Sequence, residues 1–227
     1  MDTNTFNNLI SQTWPDLHAA STLGGGTFGT VYACTKTDAV TGVTQKEAVK
    51  VVRVDFTPED RANAEEEGIP FADYYRAVKE KRLQEIRWMV ALKSPHIVHI
   101  NGYTAIEEPD HSALYILIRM DCLTALDQLR PAHLDDTPEQ AAALAEKVAR
   151  DICDALRVCH QNGVLHRDIK PANILCSDAG NFYLGDFGIS KGTAQQASMT
   201  SSGTLEYAPR EVMTGQYDHR ADLYSLG

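Results

Sequence analysis

Two short polar segments near residue 170 carry side chains suited to binding a metal ion and moving a phosphoryl group. The first segment contains Asp168, Lys170 and Asn173, and the second contains Asp186. Phosphoryl transfer leaves a protein little covalent work, so catalysis is mostly positioning and neutralising charge on the phosphates. Asp168 can orient the proton of an attacking hydroxyl, and Lys170 adds positive charge beside the transferred group. Asn173 and Asp186 offer the hard oxygen ligands that Mg²⁺ prefers.

The order and spacing of these residues resemble the catalytic loop and the metal-binding triplet of protein kinases. The first segment has the string His-Arg-Asp at 166–168, with a lysine two residues after the aspartate and an asparagine five residues after it. The second segment is Asp-Phe-Gly at 186–188. The resemblance implies that Asp168, Lys170, Lys50 and Glu85 form the catalytic set. It also implies that Asn173 and Asp186 hold Mg²⁺ beside ATP.

A glycine-rich turn lies near the start of the chain, where Gly24, Gly26 and Gly29 separate two stretches of strand-type residues. Such glycines let backbone amides approach phosphate oxygens without a Cβ in the way. The spacing alone also fits a dinucleotide-binding turn or a plain hairpin. Val31 and further β-type residues follow the turn where a dinucleotide-binding motif would begin a helix, which favours a turn over the ATP phosphates.

Lys50 is the one charged residue in the apolar run 48–52, and a lone lysine there is usually an edge residue that reaches water. The resemblance instead makes it the lysine that contacts the α and β phosphates and pairs with a helix glutamate. Glu85 is predicted to be that glutamate, because apolar residues at helical spacing follow it and the helix ends near Pro95. Glu80 is the competing candidate.

The segments 97–106 and 114–120 are predicted to be strands, and the second leads to the connection between lobes. By resemblance, Ile118 is the gatekeeper and the backbone of residues 119–121 hydrogen-bonds adenine, with Arg119 at a position that is often acidic in the family. Val31, Ala48 and Leu175 would form the apolar adenine sandwich. The nucleotide contacts implied in full are Leu23, Gly24, Gly25, Gly26, Thr27, Phe28, Gly29, Val31, Ala48, Lys50, Ile118, Met120, Asp121 and Leu175.

Three other segments carry structural predictions. Residues 1–20 are expected to be a short polar lead without chemistry, in which Trp14, Pro15 and Leu17 pack on the first sheet. The charged run 58–67 is expected to be either an extra helix or a mobile loop. Thr137 begins a capping box, and the long helix it starts is expected to end at residues 162–163. A helix beginning near Asp222 is predicted to support the catalytic loop.

Residues 189–202 are small and polar, as in a flexible activation loop. Thr200 is the first candidate for phosphorylation there, with an unmodified polar loop as the alternative, and Arg167 would supply a cationic pocket for the phosphate. Lys170 and Thr204 indicate the Ser/Thr class of kinases. The string Pro-Arg-Glu at 209–211 departs from the family's Ala-Pro-Glu.

Composition sets further bounds. The chain has 227 residues, 43% of them hydrophobic, and a net charge of −10, which argues against a nucleic-acid or anionic-membrane surface. The five cysteines lack metal-site spacing, and no apolar run reaches the ~18 residues of a membrane span. We therefore expect a cytoplasmic protein whose sequenced segment makes no membrane contact.

The fold class predicted from these observations is α+β, a two-lobed protein-kinase-like fold with a small antiparallel β-sheet lobe and a helical large lobe. Residues 1–118 would form the first lobe and 119–227 a partial second lobe whose C-terminal helices are missing. The predicted function is ATP- and Mg²⁺-dependent Ser/Thr protein phosphorylation, with self-association during autophosphorylation. The alternatives are a pseudokinase or truncated ATP-binding scaffold, and a kinase-like small-molecule phosphotransferase.

Overall fold

The computed structural model describes residues 2–26, 29–38, 40–129, 136–187, 207, 209 and 218–227. The chain divides into two compact units, the first made of Met1–Trp88 and His99–Cys122 and the second of Met89–Val98 and Leu123–Gly227. This division differs from the predicted boundary at residue 118 because the last strand of the first unit continues to Asp121. It also differs because the segment after Trp88 groups with the second unit.

The described residues of the first unit form a five-stranded antiparallel sheet in the order β1-β2-β3-β5-β4. Central strands β3 and β5 each contain six consecutive buried residues, as expected for strands covered on both faces. The strands are β1 (Leu17–Gly26), β2 (Gly29–Thr37), β3 (Thr44–Asp55), β4 (Ile100–Glu107) and β5 (Ala113–Asp121).

A helix at the start of the chain, α1 (Thr3–Ile10), covers one face of this sheet. Phe6 and Ile10 are fully buried in a cluster with Tyr32 and Leu117, and the Phe6 and Tyr32 rings stack 3.9 Å apart. The expectation of a polar lead is wrong for these residues. The i, i+4 spacing of Phe6 and Ile10, after the helix-capping Asp2, was the signal for an amphipathic helix.

The charged run after β3 is helical, so the prediction of an extra helix is confirmed and the alternative of a mobile loop is wrong. Helix α2 (Pro58–Glu66) begins with a capping box between Thr57 and Asp60. The next helix, α3 (Phe71–Ala91), begins well before the predicted helix at residue 85. Arg61 on α2 donates to the Asp110 carbonyl at 2.9 Å, which joins α2 to the β4–β5 connection.

The core of the second unit forms around helix α5 (Pro138–Gln161). The predicted capping box at Thr137 and the end at Asn162 are both confirmed. The buried side of α5, which includes Ile152, Leu156 and Cys159, packs with residues of a small antiparallel sheet. The other elements of this unit are β6 (Thr124–Ala125), α4 (Leu126–Leu129), a 3₁₀ turn (Pro171–Asn173), β7 (Ile174–Cys176), β8 (Phe182–Leu184) and α6 (His219–Leu226).

Helix α6 begins three residues before Asp222, with Asp218 as its N-cap, so the predicted start near Asp222 was late. None of the helices in the described ranges combines the length and the apolar character needed to cross a membrane.

Candidate active site

The sheet register of the first unit brings five of the predicted nucleotide residues onto one face. Lys50 lies opposite Val31 on β2 and Ile118 on β5, while Ala48 lies opposite Met120. Directly paired residues of neighbouring antiparallel strands share a face, so these five side chains form one surface. Lys50 is only 6% exposed, so its side chain does not reach water as that of an ordinary edge lysine would.

The glycines of the β1–β2 hairpin differ in whether the fold requires a glycine at that position. Gly29 has φ +120°, and a Cβ added there would overlap the Val51 carbonyl oxygen, so the fold itself requires glycine. A Cβ added at Gly24 meets nothing within 4 Å, and one at Gly25 makes only ordinary contacts. Neither packing nor the backbone angle therefore requires glycine at position 24. The strand pairing runs to Gly26 opposite Gly29.

Glu85 lies on α3 with its carboxylate mostly buried, but its ion pair is with Arg82, at 3.3 Å. Among the described residues, no ion pair joins Glu85 to Lys50, in contrast to the predicted pairing. Glu85 Oε1 is buried and accepts no hydrogen bond, and burial raises the pKa of this carboxyl while Arg82 opposes that rise. The competing candidate, Glu80, is 60% exposed and pairs with Arg87.

The predicted hinge directs its side chains alternately to the two faces of the sheet. Ile118 and Met120 share the face of Lys50, whereas Arg119 lies opposite Val49 on the other face and forms an ion pair with Glu47 at 2.6 Å. The Asp121 amide donates to the His99 carbonyl at 3.4 Å. At this length the bond is weak.

In the second unit, the residues of the predicted catalytic loop converge on Asp168, whose side chain is 3% exposed. Asn173 Nδ2 donates to the Asp168 carbonyl at 2.7 Å and to its Oδ2 at 2.9 Å. Lys170 Nζ lies 3.1 Å from the same Oδ2. Two donors on one carboxylate oxygen stabilise its charged form and fix its orientation, which suits a group that must accept a proton from a defined direction.

The two predicted metal residues, Asn173 and Asp186, lie in segments that are hydrogen-bonded to each other. Gly185 N–H donates to the Asn173 carbonyl at 2.9 Å, and a nitrogen of the His166 ring, Nε2, lies 2.8 Å from the Gly185 carbonyl. Asp186 follows with φ 52°, a left-handed conformation that non-glycine residues rarely adopt outside functional or strained sites. The loop carrying Asn173 and the turn carrying Asp186 are therefore held together through the backbone.

The donor atoms fit magnesium. Both donor bonds of the Asn173 amide go to Asp168, which leaves the amide oxygen as a ligand atom, and Asp186 supplies a carboxylate. Within the part of the chain that is described, no three His, Cys, Asp or Glu side chains cluster as a metal cage. One or two hard oxygen ligands completed by substrate phosphates and water is the arrangement that Mg²⁺ commonly adopts.

Asp222 holds the backbone of the predicted catalytic loop through hydrogen bonds to two of its amides. Its side chain is fully buried and accepts the amide of His166 at 3.0 Å and that of Arg167 at 2.8 Å, while His160 Nε2 lies 2.9 Å away. Arg167, just before Asp168, has φ 64°. His160 is therefore part of a polar network. In the sequence His160 directly follows the buried residue Cys159, and nothing in that position indicates a polar partner.

His166 is buried, and burial lowers the pKa of its imidazole, so the ring is neutral near pH 7. Since the Gly185 carbonyl can only accept, Nε2 carries the proton and donates to it. The ring also meets the Phe187 ring edge to face, with centroids 4.9 Å apart.

Leu175 lies on β7 of the second unit, where it pairs with Tyr183 and Ala125. Several predicted positions lie outside the described residues: Thr27, Phe28, Gly188, Thr200, Thr204, Arg210 and Glu211.

Comparison with known proteins matches residues 17–227 to the protein kinase domain. The serine/threonine-protein kinase PknJ of Mycobacterium tuberculosis is 34% identical over 215 residues, which cover 90% of this chain and 31% of the relative. Aurora kinase B of Drosophila melanogaster is 35% identical over 151 residues, covering 66% of this chain and 44% of that protein. The chain thus spans less than half the length of these relatives. The match along nearly the whole chain shows that it belongs to the protein kinase domain family.

Proposed function

We propose that this chain is a Ser/Thr protein kinase that transfers the γ-phosphate of ATP to hydroxyls of a protein substrate. The observation that carries the proposal is the arrangement around Asp168, which two neighbouring donors orient and whose loop is held by a buried carboxylate. A loop with no chemical role would not need the buried polar side chains of His166, Asp168, Asn173 and Asp222 around it.

The reaction assigns a distinct task to each side chain. The substrate hydroxyl oxygen forms a bond to the γ-phosphorus, and the bond from that phosphorus to the bridging oxygen of ADP breaks. Asp168 orients the hydroxyl and accepts its proton. Lys170, already beside Asp168, neutralises charge on the transferred group. Asn173 and Asp186 would hold Mg²⁺, which supplies further neutralisation of the phosphate charge.

Nucleotide binding falls to the first unit. Gly24, Gly25 and Gly26 would present backbone amides to the phosphates, and Lys50 would contact the α and β phosphates. Val31, Ala48 and Ile118 offer an apolar surface for the adenine ring. Glu85, the predicted partner of Lys50, would have to exchange its Arg82 contact to reach that role.

The proposal also includes a regulatory phosphorylation and a cellular compartment for the chain. Two copies of the chain would associate, and one would phosphorylate Thr200 of the other. Arg167 would then bind the new phosphate group. None of the five cysteines, which all lie in the described ranges, forms a disulfide, and this supports a reducing compartment such as the cytoplasm.

The test is the intact mass of the purified chain before and after incubation with ATP and Mg²⁺. We expect the parent chain to gain phosphate and Asp168→Asn to gain none, while Asp154→Asn, an exposed site on α5, behaves like the parent. Phosphate gain by Asp168→Asn would contradict the assigned mechanism. If nothing gains phosphate although ATP binds, the chain is an ATP-binding scaffold. Transfer to small-molecule but not peptide hydroxyls would instead identify a small-molecule phosphotransferase.

A further inference from the structure

The side chain of Arg119 lies in an unusual setting for a hinge residue. It occupies the face of the sheet opposite the nucleotide residues, where its Nε is 2.6 Å from Glu47 Oε2. Both atoms are shielded from solvent, although the N–H is not aligned as a regular hydrogen bond. The side chains are 18% and 10% exposed, so salt screens this pair much less than it screens a surface pair.

Trp14 is the third member of this group. The Arg119 guanidinium lies 5.7 Å from the centre of the Trp14 ring, within the range of a cation–π contact. The ring also lies over Gly102, which pairs with Arg119 across β4 and β5, and a Cβ added at Gly102 would be 3.7 Å from it. Trp14 follows α1 directly, and its amide donates to the Ile10 carbonyl at 2.7 Å.

These contacts connect three separate parts of the first unit at one place. Glu47 belongs to β3, three residues before Lys50, and Arg119 belongs to the predicted adenine-binding backbone. Trp14 belongs to the turn that joins α1 to β1. A buried ion pair is costly to break from one side, because the partner is left charged without compensation. The three side chains therefore limit how far the backbone at residues 119–121 can move.

We propose that Trp14, Arg119 and Glu47 form a clamp of positioning residues that holds the hinge backbone in the geometry needed to bind adenine. The N-terminal segment thereby contributes to nucleotide affinity without touching the nucleotide. This inference rests on the proposed ATP site and adds to it a role for residues on the opposite face of the sheet. None of the three contacts the phosphates or the acceptor hydroxyl, so the clamp acts on binding and not on the transfer step.

The experiment compares ATP with inorganic tripolyphosphate, which has the phosphates but no adenine, by calorimetric titration of the whole chain with Mg²⁺ present. Arg119→Met should weaken ATP binding about tenfold, the worth of one or two hinge hydrogen bonds. Tripolyphosphate binding should not change. The matched control is Arg53→Met, because Arg53 also lies 5.7 Å from an aromatic ring and pairs with a carboxylate, but away from the hinge.

Two further variants separate positioning from loss of fold. The double variant Arg119→Glu with Glu47→Arg should regain most of the lost ATP affinity, and Trp14→Phe should lose less than Trp14→Leu. Equal weakening of ATP and tripolyphosphate would mean general loosening and would overturn the clamp, as would unchanged ATP affinity in Arg119→Met. If the parent chain binds tripolyphosphate but not ATP, the adenine site of the proposed function fails as well.

Discussion

Replacing Asp222 is the most direct test of how the catalytic loop is held. The carboxylate accepts two backbone amides, those of His166 and Arg167, in a place with no access to water. A hydrogen bond to a charged group contributes about 1.5–3 kcal/mol, so Asp222→Ala forfeits about 3–6 kcal/mol. Relaxation of Arg167 from its left-handed conformation returns about 1 kcal/mol. The net expected loss is therefore about 2–5 kcal/mol.

Asp222→Asn is the sharper variant, because it keeps the shape and one acceptor oxygen but brings an NH₂ group towards a backbone N–H. We expect it to lose about 2 kcal/mol, less than the alanine variant, because one of the two amides keeps a neutral acceptor. Asp154→Asn, an exposed aspartate on α5, serves as the control and should change stability by less than about 0.5 kcal/mol.

The assay is urea unfolding followed by circular dichroism. Fluorescence is unsuitable, because both tryptophans, Trp14 and Trp88, belong to the first unit while Asp222 belongs to the second. Hydrogen exchange of the amides at residues 166 and 167 gives the local readout: both should be protected in the parent and exchange faster in Asp222→Asn. Unchanged protection, or a stability loss no larger than that of Asp154→Asn, would refute the reasoning.

Three other results are expected. Gly24→Ala should leave the free energy of unfolding within about 0.5 kcal/mol of the parent but raise the KM for ATP, whereas Gly29→Ala should destabilise the fold; equal effects in urea unfolding would contradict this. Arg82→Leu removes the cation now bound to the helix glutamate and should raise kcat/KM about two- to fivefold, a change absent in the exposed control Arg76→Leu. Burial lowers the pKa of His166, so the unfolded chain takes up a proton that the folded chain rejects below about pH 6.5. Stability should therefore fall as the pH is lowered from about 7.5 through about 6.5 and below, and less so in His166→Phe; an identical fall in both would exclude His166 as the cause.

Sequence reasoning succeeded where the determinants are local. The capping box at Thr137 and the end of α5 near Asn162 depend on neighbouring residues, so their pattern is complete within a few positions. The residues around Asp168 were recognisable for the same reason, since Lys170 and Asn173 lie in the same short loop.

The missed features depend on partners distant in sequence or on a choice between equivalent ones. The side chain of Arg119 had no predictable role, because Glu47 and Trp14 come from other strands and turns. Glu85 has cations both on its own helix and on β3, and the sequence does not tell which one it meets. The early start of α3 depends on aromatic packing, with Phe56 and Tyr75 ring centroids 4.6 Å apart across the connection from β3.

The helix at the start of the chain lies outside the segment that matches the family, although it belongs to the folded core of the first unit. The family match begins at residue 17, yet Phe6 and Ile10 are completely buried against the sheet. Burying each such side chain contributes about 1.5–3 kcal/mol, a large share of the 5–15 kcal/mol that stabilises a typical protein. A fragment trimmed to the matched residues would keep the motifs around Lys50, Asp168 and Asp186 and still lose part of its core, leaving Tyr32 and Leu117 uncovered. The segment matched to the family is thus shorter than the segment that forms the core of the first unit.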